Sequence, residues 1–165
     1  MSSILKVSEI QDPTNGNSAL TVDSSGRVLT PQRVHFYAGA SEGNVNITAG
    51  SLLPFTAVYQ NVGNAFSTST YKFTAPVTGM YLFTTSAFVA GTSSAVGRIT
   101  WEINGNQFLV GGDITEARIG TDRSGSMQGI FGLTAGDTMG IRLRASVSTV
   151  QFYMGHCDFS GCLLG

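Results

Sequence analysis

The sequence predicts an all-β chain: a double-sheet jelly roll of about eight to ten strands, with a short β arm before it. Three observations carry that prediction. Apolar residues alternate at period two in short runs broken by Gly, Asn, Asp and Pro, and helical periodicity is nearly absent. Hydrophobic residues make up 42% of the chain but charged residues only 12%, against about 25% charged in an average soluble domain. Glycine is abundant, at 21 of 165 residues, roughly twice the usual ~7%. A chain of this length builds one core, so a single jelly-roll domain accounts for most of it.

Residues 1–32 read as the arm. Ile4-Leu-Lys-Val-Ser-Glu-Ile10 alternates weakly, Asp12 to Gly16 is a loop, and Ala19 to Val22 with Arg27 to Leu29 forms a small hairpin around Gly26. So short a ribbon is marginal alone and must lie on something. Its apolar positions Ile4, Leu5, Val7 and Ile10 are the candidate anchor. Residues 33–165 read as the head. Tyr81 to Val89 is the longest alternating run and a buried central strand, with Tyr81, Phe83, Thr85, Ala87 and Val89 sharing its inner face. Ile99 to Ile103 and Asn106 to Val110 flank Asn104-Gly105, a pair suited to the two positive φ angles of a type I′ hairpin turn. Ser126 to Leu133 and Thr138 to Arg144 are two further strands joined through Ala135-Gly-Asp137, and Val150 to Met154 with Asp158 to Leu164 closes the sheet.

Phe55, Asn61, Phe66, Phe73, Gly79, Tyr81 and Phe83 stand at the spacings of the complement C1q signature, and the ending Phe159-Ser-Gly-Cys-Leu-Leu164 and the turn Leu133-Thr-Ala-Gly-Asp137 match it further. On these residues the head resembles the C1q family and the related tumour necrosis factor jelly rolls. Thr85 departs from the pattern, standing where the family has an aromatic. In the turn before the central strand, Pro76 fixes φ, and Gly79 is expected to supply a backbone conformation other residues resist. The resemblance implies compact trimers that pack one face of each jelly roll around a threefold axis. Phe36, Tyr37, Phe152 and Tyr153 are candidate interface residues, because they exceed what one side of each strand can bury. The N-terminal segment, Ile4 to Asp12 and Asn17 to Leu29, resembles the opening of tail-fibre and other virion proteins of marine phages.

The net charge is −1, and nine Lys and Arg spread thinly along the chain offer no basic stripe, which argues against nucleic acid. Lys6 and Glu9 interrupt what would be the apolar stretch of a signal peptide, and no apolar run reaches ~18 residues. The expectation is therefore synthesis in a host cytoplasm, with no membrane insertion. His35 and His156 are the only histidines, their neighbours suggest no catalytic triad, and no enzyme activity is expected. Asp113, Glu116 and Asp122 are carboxylates without an EF-hand frame, which favours a solvated loop and no cofactor over calcium. Asn46-Ile-Thr48 fits a glycosylation acceptor, which has no meaning without secretion. Cys157 and Cys162 fall on opposite faces of one strand, about 16 Å apart, too far to bridge without a sharp bend at Gly161; both are expected to fill the core. Arg142 and Arg144 share a strand face, at an exposed edge or pairing with Glu102 or Glu116 across an interface.

Together these readings give a trimeric phage structural protein on the virion surface. The leading form is a capsid decoration or cement knob held to the major capsid protein by its arm. The alternative is a tail-fibre knob, carried on a tail or fibre protein, that binds a host surface glycan.

Overall fold

The computed structural model describes residues 6–41, 43–90, 97–107, 116–119 and 123–165. The chain divides into two compact units, Met1–Arg33 and Val34–Gly165.

The first unit is a three-stranded antiparallel sheet of β1 (Glu9–Gln11), β2 (Ser18–Val22) and β3 (Val28–Leu29). Aspartates build both of its turns. The Asp12 carboxylate accepts the backbone N–H of Thr14 at 2.7 Å, and that of Asp23 accepts the N–H groups of Ser25 and Arg27, each at 2.9 Å. The register sets Ile10 opposite Leu20 and Val22 opposite Val28, so these four residues share one apolar face. Val7, Ile10, Val28 and Leu29 are exposed. Ile4 and Leu5 lie outside the described residues.

The second unit holds β4 (His35–Gly39), β5 (Asn44–Thr48), β6 (Ala57–Val62), β7 (Phe66–Ser67), β8 (Lys72–Thr74), β9 (Gly79–Val89), β10 (Gly97–Ile103), β11 (Asn106–Gln107), β12 (Glu116–Ile119), β13 (Arg123–Leu133), β14 (Thr138–Ala145), β15 (Thr149–Tyr153) and β16 (Asp158–Leu163). They form two antiparallel sheets. The larger runs β5-β15-β9-β16-β4-β6, with β13 also paired to β9; the other runs β11-β10-β14-β8-β7, with β12 paired to β10. The fold is an all-β jelly roll, and the long strands are those the alternation predicts. Segments of two or three residues, such as β7 and β11, raise the strand number because they are too short to show a period.

The hairpin between β10 and β11 turns at Asn104 (φ 52°) and Gly105 (φ 81°), as an Asn-Gly pair requires. Residues 108–110, expected to continue its second strand, lie outside the described residues.

The core is aromatic. Phe36 stacks between Phe66 and Phe73, with centroids at 5.0 and 5.3 Å, and meets Phe159 edge-on at 4.8 Å. Trp101 packs edge-on against Phe131 at 5.4 Å. Such pairs add about 0.5–1.5 kcal/mol each beyond the area they bury. Gly161 makes this arrangement possible. It sits in β16 with an inward-facing position, and a Cβ there would stand 2.4 Å from Phe83 Cδ1 and 2.9 Å from Phe36 Cε1.

Gly161→Ala should therefore cost about 1–3 kcal/mol, because neither buried ring has room to move aside. Gly132→Ala, where the added methyl meets only Met80 Sδ at 3.4 Å, should stay within about 0.5 kcal/mol of the parent. Urea unfolding of the two variants beside the parent checks both.

Candidate functional site

Alternation along the larger sheet sends its aromatics inward and leaves an outer face written by the intervening residues. Register aligns that face into rows across β6, β4, β16, β9 and β13. One row is Val62, His35, Cys162, Leu82 and Ile130; the next is Gln60, Tyr37, Ser160, Thr84 and Gln128; a third contains Asp158, Ser86 and Ser126. Asp158 is the one carboxylate of these rows, and the Ser86 hydroxyl donates to it. Thr84 and Ser160 hydroxyls meet at 2.8 Å. Ile130 is 58% exposed, and Met80, one position further along β9, is 46% exposed. A β-bulge after Tyr37 turns Tyr59 onto it, with ring centroids 5.1 Å apart. Two shallow depressions mark the face, of about 360 Å³ beside His35, Leu82 and Cys162 and about 310 Å³ beside Ser86, Ser126 and Asp158. The sequence reading missed Leu82, Ile130 and Tyr59. The first two were available as the complement of the inward-facing sets; Tyr59 depends on the bulge.

The signature residues lie beneath this face and hold it in place. Phe55, Phe66, Phe73, Tyr81 and Phe83 are buried. Asn61 clamps a turn twice: its Oδ1 accepts the Phe66 N–H at 3.0 Å and its Nδ2 donates to the Phe66 carbonyl at 2.9 Å. The Tyr81 hydroxyl donates to the Val77 carbonyl at 2.7 Å, and burial holds its pKa above the ordinary phenol value. Gly79 differs from expectation. It has no positive φ; its lack of a Cβ matters because one would stand 2.8 Å from Leu163 Cδ1 and 3.0 Å from the Gly165 carbonyl. Thr85 points inward where the family has an aromatic, and its hydroxyl is satisfied by the Asp158 carbonyl at 2.6 Å.

Several expectations need correction. Phe36 and Phe152 are 2% and 0% exposed, so they belong to the core of one copy and cannot form a contact between copies. Of the four aromatics, Tyr37 is 43% exposed and Tyr153 is half-buried, edge-on to His156 at 4.7 Å. Cys157 is buried as expected, and burial pushes its thiol up to about 11. Cys162 is not a core residue; it is half-buried on the outer face, directly opposite His35. β16 runs straight through Gly161, so the two thiols stay on opposite faces and unbridged. Asp113 and Asp122 lie outside the described residues, and among those described no cluster of metal-ligating side chains occurs.

The other sheet carries a different outer face. Arg142 pairs with Glu102 inside the chain, not across an interface, and Lys72 Nζ reaches the other carboxylate oxygen at 2.6 Å. Glu102 is 1% exposed. Cations scattered through the sequence also converge here. Arg98 stands opposite Arg118 on one side and Arg144 on the other.

Two antiparallel sheets closed over an aromatic core, with function left to their outer faces, define a jelly-roll head. The chain belongs to the C1q domain family, whose domain matches residues 35–164. No curated protein matches it in sequence. Among solved structures, the globular domain of zebrafish complement 1qA is similar at 16% identity and TM-score 0.63, over 81% of this chain and 98% of that one. The Eiger TNF of S. frugiperda follows at 11% and 0.62, over 81% and 94%. Murine APRIL is similar at 11% and 0.59, over 80% and 99%.

One turn of the head is set to respond to acid. Asp137 accepts the Asn104 side-chain amide at 2.8 Å and the Thr134 N–H at 2.7 Å, which holds its carboxyl below the ordinary value of 3.8. A depressed folded pKa adds stability above the unfolded value, and that stability is lost as pH falls through the folded one. Unfolding midpoints followed downward from about pH 6 should fall for the parent below about pH 4. Asp137→Asn should start lower at neutral pH and show a shallower decline.

Proposed function

We propose that this chain is a non-catalytic homotrimeric head, and that it serves as a capsid decoration or cement knob on the surface of a phage particle. The observation that carries the trimer is the near-neutral outer face of the larger sheet. Met80, Leu82, Ile130, Tyr37 and Tyr59 lie there among hydroxyls and amides, and apolar area of that kind on a soluble domain marks a contact. Charge is depleted across it, as at the centres of protein interfaces. Threefold packing of this face is also what membership in the C1q family suggests.

The virion reading rests on the N-terminal unit. Its sequence resembles that of phage virion proteins, and its exposed Val7, Ile10, Val28 and Leu29 suit a sheet that docks on a larger assembly such as the major capsid protein. Assembly would take place in the host cytoplasm. The second reading, a tail-fibre knob that binds a host glycan, is favoured by the arginine-bearing face of the other sheet. Neither reading calls for a cofactor.

Light scattering on the purified protein should give three times the chain mass. Ile130→Arg should give a folded monomer with native circular dichroism, because its side chain is free in one copy and covered in three. A parent monomer at micromolar concentration would remove the trimer. For attachment, a chain lacking residues 1–32 should stay folded but no longer co-sediment with phage particles, and immunogold labelling of intact particles should place the full chain over the shell. Label confined to the tail would select the fibre reading.

A further inference from the structure

The N-terminal sheet is amphipathic. Its register places Ile10 against Leu20 and Val22 against Val28, so one face carries four aliphatic side chains. The other face carries Glu9, Thr21 and Leu29, aligned across the three strands, and the Ser18 hydroxyl donates to the Glu9 carboxylate. A sheet that is apolar on one side only requires a second layer over that side. Within one copy, Ile10 and Val28 stay 49% and 62% exposed.

Charge, size and chain connectivity together select that layer. The arm sets three cations, Lys6, Arg27 and Arg33, against three carboxylates, Glu9, Asp12 and Asp23, so identical arms carry no net repulsion toward one another. The apolar face is small. Strands of about five residues at ~3.3 Å per residue, spaced ~4.8 Å apart, give it roughly 200 Å², against about 800 Å² per partner in a stable interface. It closes only where its partners are already held beside it, and a trimer of heads supplies that condition. Arg33 is two residues from His35, which lies on the outer face of the larger sheet, and two residues span at most about 7 Å. Threefold packing of that face starts three arms at the rim of one interface, where so short a tether sets an effective concentration of about millimolar.

We infer that the second layer is the same sheet of the other two copies: the apolar faces of three arms pack against one another, and Ile10, Leu20, Val22 and Val28 of each form a three-sided aliphatic core. A threefold set of identical contacts closes on itself and leaves no face over. The inference rests on the trimer of heads, and it leaves the opposite face of each arm, with Leu29, for docking on a larger assembly. Because the arm face is small, its closure follows from the trimer and does not hold the trimer together.

Hydrogen exchange read by mass spectrometry on the purified full chain tests this, with light scattering on the same samples. Amides of β1 to β3 should be protected in the parent trimer. Ile10→Asp and Val28→Asp should each speed their exchange by about tenfold or more, because the new carboxylate must either be buried or hold the arms apart. Exchange of the head and the trimer mass should not change. Leu29→Asp, on the opposite face, should leave arm exchange close to that of the parent. Val28→Cys treated with a short bismaleimide should give cross-linked dimers and trimers beyond the background from Cys157 and Cys162. An arm that exchanges as fast in the parent as in Val28→Asp would overturn the inference. So would a protected arm without cross-links between copies, which would place it on its own head, or protection that appears only when phage particles are added. A parent that scatters as a monomer removes the trimer and this inference with it, whereas a trimer with open arms removes this inference alone.

Discussion

The contact between the Phe83 ring and the bare backbone of Gly161 is the constraint on which the head depends. Phe83 also reaches Phe36, Phe73, Trp101, Phe131 and Phe159, all within 6.3 Å between centroids. Through it the central strand β9 is fixed against its neighbour β16 and against the opposite sheet at once. Close packing of this kind leaves little freedom for an added methylene. With the inner positions fully committed, only the alternate residues of each strand are free to vary with function, and the two sheets use that freedom in opposite ways.

On the larger sheet, the outer residues of β4, β9, β13 and β16 are nearly devoid of charge. On the smaller sheet, Lys72 and Arg142 pair with one buried carboxylate. Composition averages these faces into a charge of −1, which describes neither. A neutral face can be desolvated cheaply against another protein surface, whereas a cationic face favours ligands that bring their own negative charge. Placing the two on opposite sheets keeps the second available when the first is covered.

Much of this was legible in the sequence, and the failures have physical causes. Period-two alternation located β9, β10, β13, β14 and β16 because each is long enough to repeat its pattern. The Asn104-Gly105 turn followed from backbone sterics alone. The signature positions identified the core, since aromatic spacing and core geometry are one constraint. Sidedness failed at Phe36-Tyr37 and Phe152-Tyr153, where two adjacent aromatics leave the inward one undetermined; Phe36 and Phe152 turned in. Gly79 was identified correctly for the wrong reason, since close approach of Leu163 and the C-terminal backbone is invisible to local reasoning. The arginine row was illegible because Arg98, Arg118 and Arg144 become neighbours only through pairing register, which no local window contains.

Glu102 commits two cations of the smaller sheet to stabilising the fold. It lies on the outer side of its strand, yet is 1% exposed and bound by both Lys72 and Arg142, whose guanidinium also reaches the Gly50 carbonyl. A carboxylate so deeply buried is tolerable only with paired cations, and removing one partner of such a set costs about 3–5 kcal/mol. Lys72 and Arg142 are thus committed to joining β8, β10 and β14. Arg98, two outward positions along β10 from Glu102, stands in register with Arg118 on β12 and Arg144 on β14. The sheet therefore contains one cationic pair whose presence its own stability explains.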